Sequence, residues 1–237
     1  MVPPSLFVLT GAGLSAESGL GTFRDKDGIW TKYRLEDYAT PEAYQRNPVG
    51  VLDFYNARRR NLKDATANAA HQALAVLQST WAARGGRVTL CTQNIDDLLE
   101  QAGAQEVIHM HGELKKAWCL KCDGRSSWAD DMAVDSRCPV CARAGGVRPD
   151  VVWFGEEPYA MDLIYQRLSG AELFVAIGTS GSVYPAAGFV SAAASVGMPT
   201  MEINLDPSDN ARAFSDRRYG PATETVPAWV EEMLALL

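Results

Sequence analysis

The run Leu6-Phe7-Val8-Leu9-Thr10-Gly11-Ala12-Gly13-Leu14-Ser15-Ala16 decides how the chain is read. Its first five residues are uncharged and read as a buried strand, and the turn that follows fits G-x-G-x-x-G/A. In that pattern the first glycine permits the tight turn and the second lets a pyrophosphate approach the backbone. A small third residue lets helix and strand pack closely, and the helix N-terminus attracts phosphate. A glycine turn needs no nucleotide, so the motif alone is weak; its place directly after the first strand favours one. An ordinary dehydrogenase would put an acidic residue for the adenosine ribose at the end of a second strand, about 20 residues on. That distance leads here to Glu36 and Asp37, in a polar segment without a strand pattern, so the nucleotide is expected to be held differently.

Outward from this turn, further short apolar runs read as strands at Val88–Thr92, Leu173–Ile177 and residues 107–110 and 200–205, with a short sixth near 223–226. Helical stretches alternate with them at Ala69–Ala83 and residues 186–194, and a last helix is expected to start at Pro227. The alternation predicts an α/β fold, a doubly wound, mostly parallel, Rossmann-like sheet. Residues 1–22, 66–114 and 151–237 are assigned to it. Residues 23–65, with a helix over 41–63, and 115–150, with four of the five cysteines, read as insertions that build a smaller helical and zinc-ribbon domain.

A net charge of −7 over 237 residues argues against general attraction to nucleic acid or anionic membrane, although residues 58–60 and Lys63 offer a local basic patch. No basic-then-apolar leader opens the chain and no run approaches a membrane span, so a cytoplasmic protein is expected. In a reducing compartment, paired cysteines suggest metal before disulfide. Cys119-x2-Cys122 and Cys138-x2-Cys141 have the spacing of a four-thiolate zinc site, which leaves no open position and is therefore structural. Cys91, inside an apolar strand, reads as a small core residue.

Further short motifs follow in order: Glu17-Ser18-Gly19, Thr22-Phe23-Arg24, Gln93-Asn94-Ile95-Asp96, His109-Met110-His111-Gly112, Val152-Trp153-Phe154-Gly155-Glu156, Gly178-Thr179-Ser180 and Glu202-Ile203-Asn204. With the glycine turn and the cysteine quartet they resemble the sirtuin family over nearly the whole chain. Gly21 and Glu113 depart from the usual pattern, at positions where many members carry proline and serine, and neither removes a group the chemistry requires.

The resemblance implies an NAD-dependent protein-lysine deacylase, with NAD+ as co-substrate and one structural Zn2+. It implies phosphate binding by the glycine turn (Gly11, Ala12, Gly13, Ser15 and Ala16) and Arg24, with Phe23 shielding the reacting ribose and Glu17, Thr22 and Trp30 also contacting the cofactor. Gln93, Asn94, Ile95 and Asp96 would line the ribose and nicotinamide pocket, with Asn94 assisting catalysis. Gly178, Thr179, Ser180, Asn204, Leu205, Asp206 and Ala222 would hold the adenosine half. Val152, Phe154, Gly155, Glu156 and Val183 would line the acyl-lysine tunnel. The substrate backbone would add as a strand between residues 154–157 and 181–184. His111 would be the general base, taking a proton from a ribose hydroxyl after the substrate's amide oxygen has displaced nicotinamide, and 2′-O-acyl-ADP-ribose would be released. A histidine pKa near ~6.5 suits that work. By their bare positions, His109 is a strand-end residue, His71 a helix-start residue, and Asn94 and Asp96 turn and cap residues.

Tyr55-Asn56-Ala57-Arg58 bears on the acyl group. At i and i+3 of a helix the phenol and guanidinium share a face, and arginine binds carboxylates bidentately. An exposed arginine beside a core tyrosine would give the same spacing. The pair nevertheless resembles the one marking sirtuins that remove succinyl and malonyl groups, so desuccinylation and demalonylation are expected beside deacetylation. Mono-ADP-ribosyl transfer, a nucleotide- or zinc-ribbon module without turnover, and a hydride-transferring dehydrogenase are the rival readings. The oligomeric state is left open and a monomer is compatible with the sequence.

Overall fold

A computed structural model describes residues 3–21 and 35–237. In chain order its strands are β1 (Leu6–Thr10), β2 (Val88–Thr92), β3 (Ile108–His109), β4 (Gly112–Cys119), β5 (Arg125–Ser127), β6 (Val147–Val151), β7 (Leu173–Ile177), β8 (Thr200–Asn204) and β9 (Asp216–Tyr219). The described α-helices are α1 (Ala12–Ser15), α2 (Pro41–Arg46), α3 (Pro48–Asp64), α4 (Ala69–Ala83), α5 (Leu98–Gln101), α6 (Met161–Ser169), α7 (Phe189–Ser195) and α8 (Ala222–Leu234).

Six strands form one sheet in the order β3-β2-β1-β7-β8-β9, every neighbouring pair parallel. Counted within the sheet this is the doubly wound order 3-2-1-4-5-6, which reverses between β1 and β7 and opens a crevice beyond their carboxyl ends. β1 is buried on both faces, and its alternation shows why. Leu6 and Val8 join Leu74, Leu77 and Trp81 of α4 and Trp229 of α8. Phe7 and Leu9 join Ile164 of α6, Phe174 of β7 and Phe189 of α7. A strand coated by helices on each side has no polar face, which is the continuous apolar run seen in the sequence.

Local signals set most of the boundaries. The Asn68 side chain accepts from the amides of Ala70 and His71, and His71 Nδ1 accepts from the Asn68 amide, a capping box at the start of α4. The single helix expected over 41–63 is two helices, because Asn47 ends α2 and its side chain caps the Gly50 amide to begin α3 at Pro48. The expected strand at 223–226 lies inside α8 instead, and the sixth strand is β9. Pro227 is interior to α8, which starts five residues earlier at Ala222. There the Glu17 carboxylate accepts from the Thr223 amide at 3.0 Å and hydroxyl at 2.7 Å, satisfying first-turn donors and favourably placed against the helix dipole.

A second, antiparallel sheet, β5-β4-β6, follows β3 directly. α3 packs on it through Leu52 against Ala117, Met132 and Val147, and through Tyr55 and Leu62 against Leu114 and Trp153. Arg59, 1% exposed, is the polar bolt in this layer. Its guanidinium donates to the Leu114 carbonyl and to Asn56 Oδ1, while Asn56 exchanges two hydrogen bonds with the Met132 backbone. Burial pulls the Arg59 pKa down to about 10. Residues 58–60, which offered a local basic patch, do not present one together, since Arg59 is internal, Arg60 pairs with Asp131 and Arg58 lines a cleft. Among the described residues no helix is long and apolar enough to cross a membrane.

Candidate active site

A cleft of about 940 Å³ opens at the carboxyl ends of β1 and β7, at the upper end of the size range of ligand pockets. Its floor is two glycine turns in direct contact. The Gly11 amide donates to the Ile177 carbonyl and the Gly13 amide to the Gly178 carbonyl, each at 2.9 Å. A Cβ on Gly11 would stand 2.7 Å from the Gly178 oxygen, and one on Gly13 2.7 Å from the Gly178 Cα. Gly178 itself has φ +64°. The G-x-G pattern is therefore required by backbone meeting backbone, a cause beyond room for a pyrophosphate.

His111 sits where the six-stranded sheet hands the chain to the three-stranded one. Gly112, with φ +78°, makes that turn, and a Cβ there would lie 2.1 Å from the Asp150 carbonyl oxygen. The His111 carbonyl accepts from the Val152 amide at 2.9 Å, tying the residue to the loop after β6. Its ring lines the cleft, and Nδ1 lies 3.1 Å from the Gln93 carbonyl oxygen. A carbonyl only accepts, so Nδ1 carries the proton and Nε2 keeps a lone pair. Burial lowers the pKa of His111, opposed by the Gln93 carbonyl, so the ring is a neutral base at neutral pH. His109 differs: burial works against its charge, but Glu100 at 2.7 Å, with Glu113 and the Asn94 carbonyl, more than offsets it and the pKa is raised.

Between β1 and β2 the polar groups form a closed network. Asn68 N–H donates to His71 Nδ1, so His71 Nε2 holds the hydrogen and faces Ser15 Oγ at 3.3 Å. Ser15 Oγ also accepts from Asn94 Nδ2 at 3.1 Å and donates to Asp96 Oδ2 at 3.0 Å. Asn94 Nδ2 further reaches the Gly11 carbonyl, and Asp96 Oδ1 accepts from the Leu98 amide at the start of α5. Burial raises the pKa of Asp96 and depresses that of His71 to about 4. Asn94 and Asp96 thus both serve as turn residues, the N-cap of α5 being Asp97, while also facing the cleft.

At the other end, Asn204 Nδ2 donates to the Thr179 carbonyl at 2.8 Å, with Ser180, Leu205, Asp206 and Ala222 around it. Glu36 and Asp37 lie on an exposed 3-10 turn and end no sheet strand. On the opposite wall Tyr55 and Arg58 of α3 both line the cleft, as do Val152, Phe154, Gly155, Glu156 and Val183. Every expected nucleotide- or substrate-site residue that is described, including Ala12, Ser15, Ala16, Gln93 and Ile95, borders this one space. Thr22, Phe23, Arg24 and Trp30 lie outside the described residues. Trp153, quoted in a motif without a role, also borders it, as do Pro221 and Thr225, which were not singled out from the sequence. His71 and Arg148 act from behind its walls. Capping geometry was a readable signal for His71, and nothing in the sequence marked Arg148.

The four ribbon cysteines bring their sulfurs together, Cys119 to Cys141 at 4.0 Å and Cys122 to Cys138 at 3.8 Å, with all four within 4.8 Å of one another. A tetrahedron with zinc–sulfur bonds of ~2.3 Å has edges of ~3.8 Å, so the set fits one structural zinc. The amides of Val140 and Cys141 point at Cys138 Sγ, as suits a thiolate. Cys91 is fully buried, and burial pushes its thiol pKa up.

A sheet of this order with a cleft at its switch point is a dinucleotide-binding architecture, here joined to a four-cysteine metal module. The Sir2 family model matches residues 11–185. An NAD-dependent protein deacylase of Caulobacter vibrioides is 62% identical over 98% of each chain. A solved mutant Sir2 homologue in complex with ADP-ribose superposes with a TM-score of 0.90 at 35% identity, covering 98% of this chain and 92% of that one. A Sir2 homologue in complex with NAD gives 0.88 at 35% identity, covering 98% and 90%. The chain belongs to the Sir2 family.

Proposed function

We propose that this protein is an NAD-dependent protein deacylase acting on acyl-lysine side chains, including those whose acyl group ends in a carboxylate. One observation carries the reading: the neutral His111 ring, the glycine floor and the Tyr55–Arg58 pair border a single cleft.

The residues fit NAD. The floor presents backbone where a pyrophosphate can approach, and polar groups cluster at both ends. When bound, NAD supplies a glycosidic bond whose cleavage releases nicotinamide and opens a sugar carbon to the acyl oxygen. His111 Nε2 then accepts a proton from a hydroxyl placed against it, while the Gln93 carbonyl fixes the tautomer. Gln93, Asn94 and Asp96 line the reacting end, and the network through Ser15 holds Asn94 and Asp96 still. Thr179, Ser180 and Asn204 hold the other end. The zinc keeps the ribbon folded and takes no part in the chemistry.

Arg58 sets the acyl preference. Desolvation lowers its pKa, against the opposing effects of Tyr55 and Asp96, and a half-buried guanidinium gains from a carboxylate that binds it bidentately. The substrate backbone adds as a strand beside residues 154–157. The Phe154 and Glu156 amides already donate to the Ala39 and Trp153 carbonyls, so pairing would use the remaining backbone groups of this segment.

Incubation with NAD+ and parallel acetyl-, succinyl- and malonyl-lysine peptides tests this. Nicotinamide release that requires an acyl-lysine, with 2′-O-acyl-ADP-ribose as the product by mass spectrometry, is expected. ADP-ribose attached to protein, or no nicotinamide release, would overturn it; turnover of acetyl-lysine alone would overturn the carboxylate preference.

A further inference from the structure

The indole Nε1 of Trp153 lies 3.0 Å from the Tyr55 hydroxyl oxygen. An indole nitrogen only donates, so the phenol oxygen accepts. Burial raises the Tyr55 pKa to about 12, and the hydroxyl keeps its own proton. The indole N–H takes one lone-pair direction of the phenol oxygen, which leaves the phenol proton to point away from the indole. Tyr55 is 3% exposed, borders the cleft beside Arg58, and has the indole as its one hydrogen-bond partner among the described residues.

The indole is held against rotation. The Arg148 guanidinium stacks 3.2 Å from the Trp153 ring and is itself gripped by both Glu156 oxygens, at 2.6 and 3.0 Å. Glu156 Oε2 also accepts from the Trp153 amide at 2.8 Å.

We infer that Trp153 is a specificity-positioning residue: by donating to the Tyr55 hydroxyl it aims the phenol proton at an acceptor on the acyl group and so favours chains that end in a carboxylate. This rests on the carboxylate-pocket reading above. Trp153 touches no reacting atom; it acts through Tyr55.

The test compares kcat/KM for succinyl- and acetyl-lysine peptides, with NAD+ saturating, in the wild type, Trp153→Phe, Tyr55→Phe and the double variant. Trp153→Phe keeps an aromatic ring and removes the N–H. The succinyl-to-acetyl ratio should fall about three- to tenfold, the range of one net hydrogen bond. It should fall no further when Trp153→Phe is added to Tyr55→Phe, because the indole then has no hydroxyl to orient. A Trp153→His variant, which retains a ring N–H, should recover part of the ratio. An unchanged ratio in Trp153→Phe, or an additive double variant, overturns the inference while leaving wild-type desuccinylation intact. A wild type inactive on succinyl- and malonyl-lysine overturns the carboxylate reading itself. Independently of folding in the variants, the assigned Trp153 indole proton of the wild type should exchange slowly with deuterium and shift on binding succinyl- but not acetyl-lysine peptide. Fast exchange, or equal shifts, counts against it.

Discussion

His111 Nδ1 stands 3.1 Å from the carbonyl oxygen of Gln93, so the turn that leaves β2 dictates which nitrogen of the ring is free. Burial lowers the pKa of this histidine, and in the proposed mechanism the neutral ring is the base. The acid limb of the kcat/KM profile should therefore fall as pH drops through a value below 6.5, with the proton binding to Nε2. His111→Asn should lose about 10²- to 10⁴-fold in kcat, the usual worth of a general base. A profile whose acid limb lies above 6.5 would contradict the assignment.

Arg58→Met keeps the length of the side chain and removes its charge. Desuccinylation and demalonylation should fall about 10- to 100-fold, as expected for a hydrogen bond to a charged group, with a much smaller effect on deacetylation. Equal losses on all three peptides would remove the pocket argument.

Gly178→Ala puts a Cβ 2.5 Å from the Leu14 amide nitrogen at φ +64°. Loss of about 2 kcal/mol or more is expected, seen as a Tm lower by roughly 5 °C, together with a raised KM for NAD+. Wild-type stability would mean that the two glycine turns do not touch in solution.

His71 ties pH to stability. It is fully buried and its pKa is depressed to about 4 in the folded chain, while an unfolded histidine titrates near 6.5. Between those values the unfolded state binds a proton that the folded state refuses, so stability is full above 6.5 and declines as pH falls toward 4. The interval corresponds to about 3 kcal/mol. Denaturant midpoints across that window should drop less in His71→Gln than in the wild type; parallel curves would show that the ring is not held neutral.

Removing the metal should unfold the ribbon and leave the reacting groups unchanged. Metal analysis should find about one zinc per chain, and chelation or Cys119→Ser should lower Tm and activity together. A zinc-free protein with an unaltered Tm would show that the four sulfurs do not bind a structural ion.

Where burial follows apolarity, the sequence was readable. The extents of β1, β2, β7 and α4 are those of their apolar runs and caps, and the cysteine spacing anticipated four sulfurs within 4.8 Å. Elements whose polar residues are satisfied by distant partners were not readable. β6 buries Arg148 and Asp150 because Glu156, Tyr159 and Arg125 meet them, and the strand looks like a loop until those partners are known. β9 is an edge strand of mostly exposed polar residues, Asp216, Arg217 and Arg218, with no apolar period. Pro227 suggested a helix start by the first-turn rule, but Glu17, over 200 residues away in the chain, places that start at Ala222. For the site, the sequence named most of the rim of the cleft but not the contacts between elements that give Trp153 at the wall, and His71 and Arg148 behind it, their roles.

The contact of Gly11 and Gly13 with Gly178 leaves the dinucleotide floor no slack, since each turn is the other's wall. Adaptation to new acyl groups must then come from the opposite side, where α3 and the loop after β6 carry side chains that can be exchanged without disturbing a backbone seam. One face of the cleft is fixed by backbone contact, and substitutions that reshape the acyl pocket fall to the face across from it.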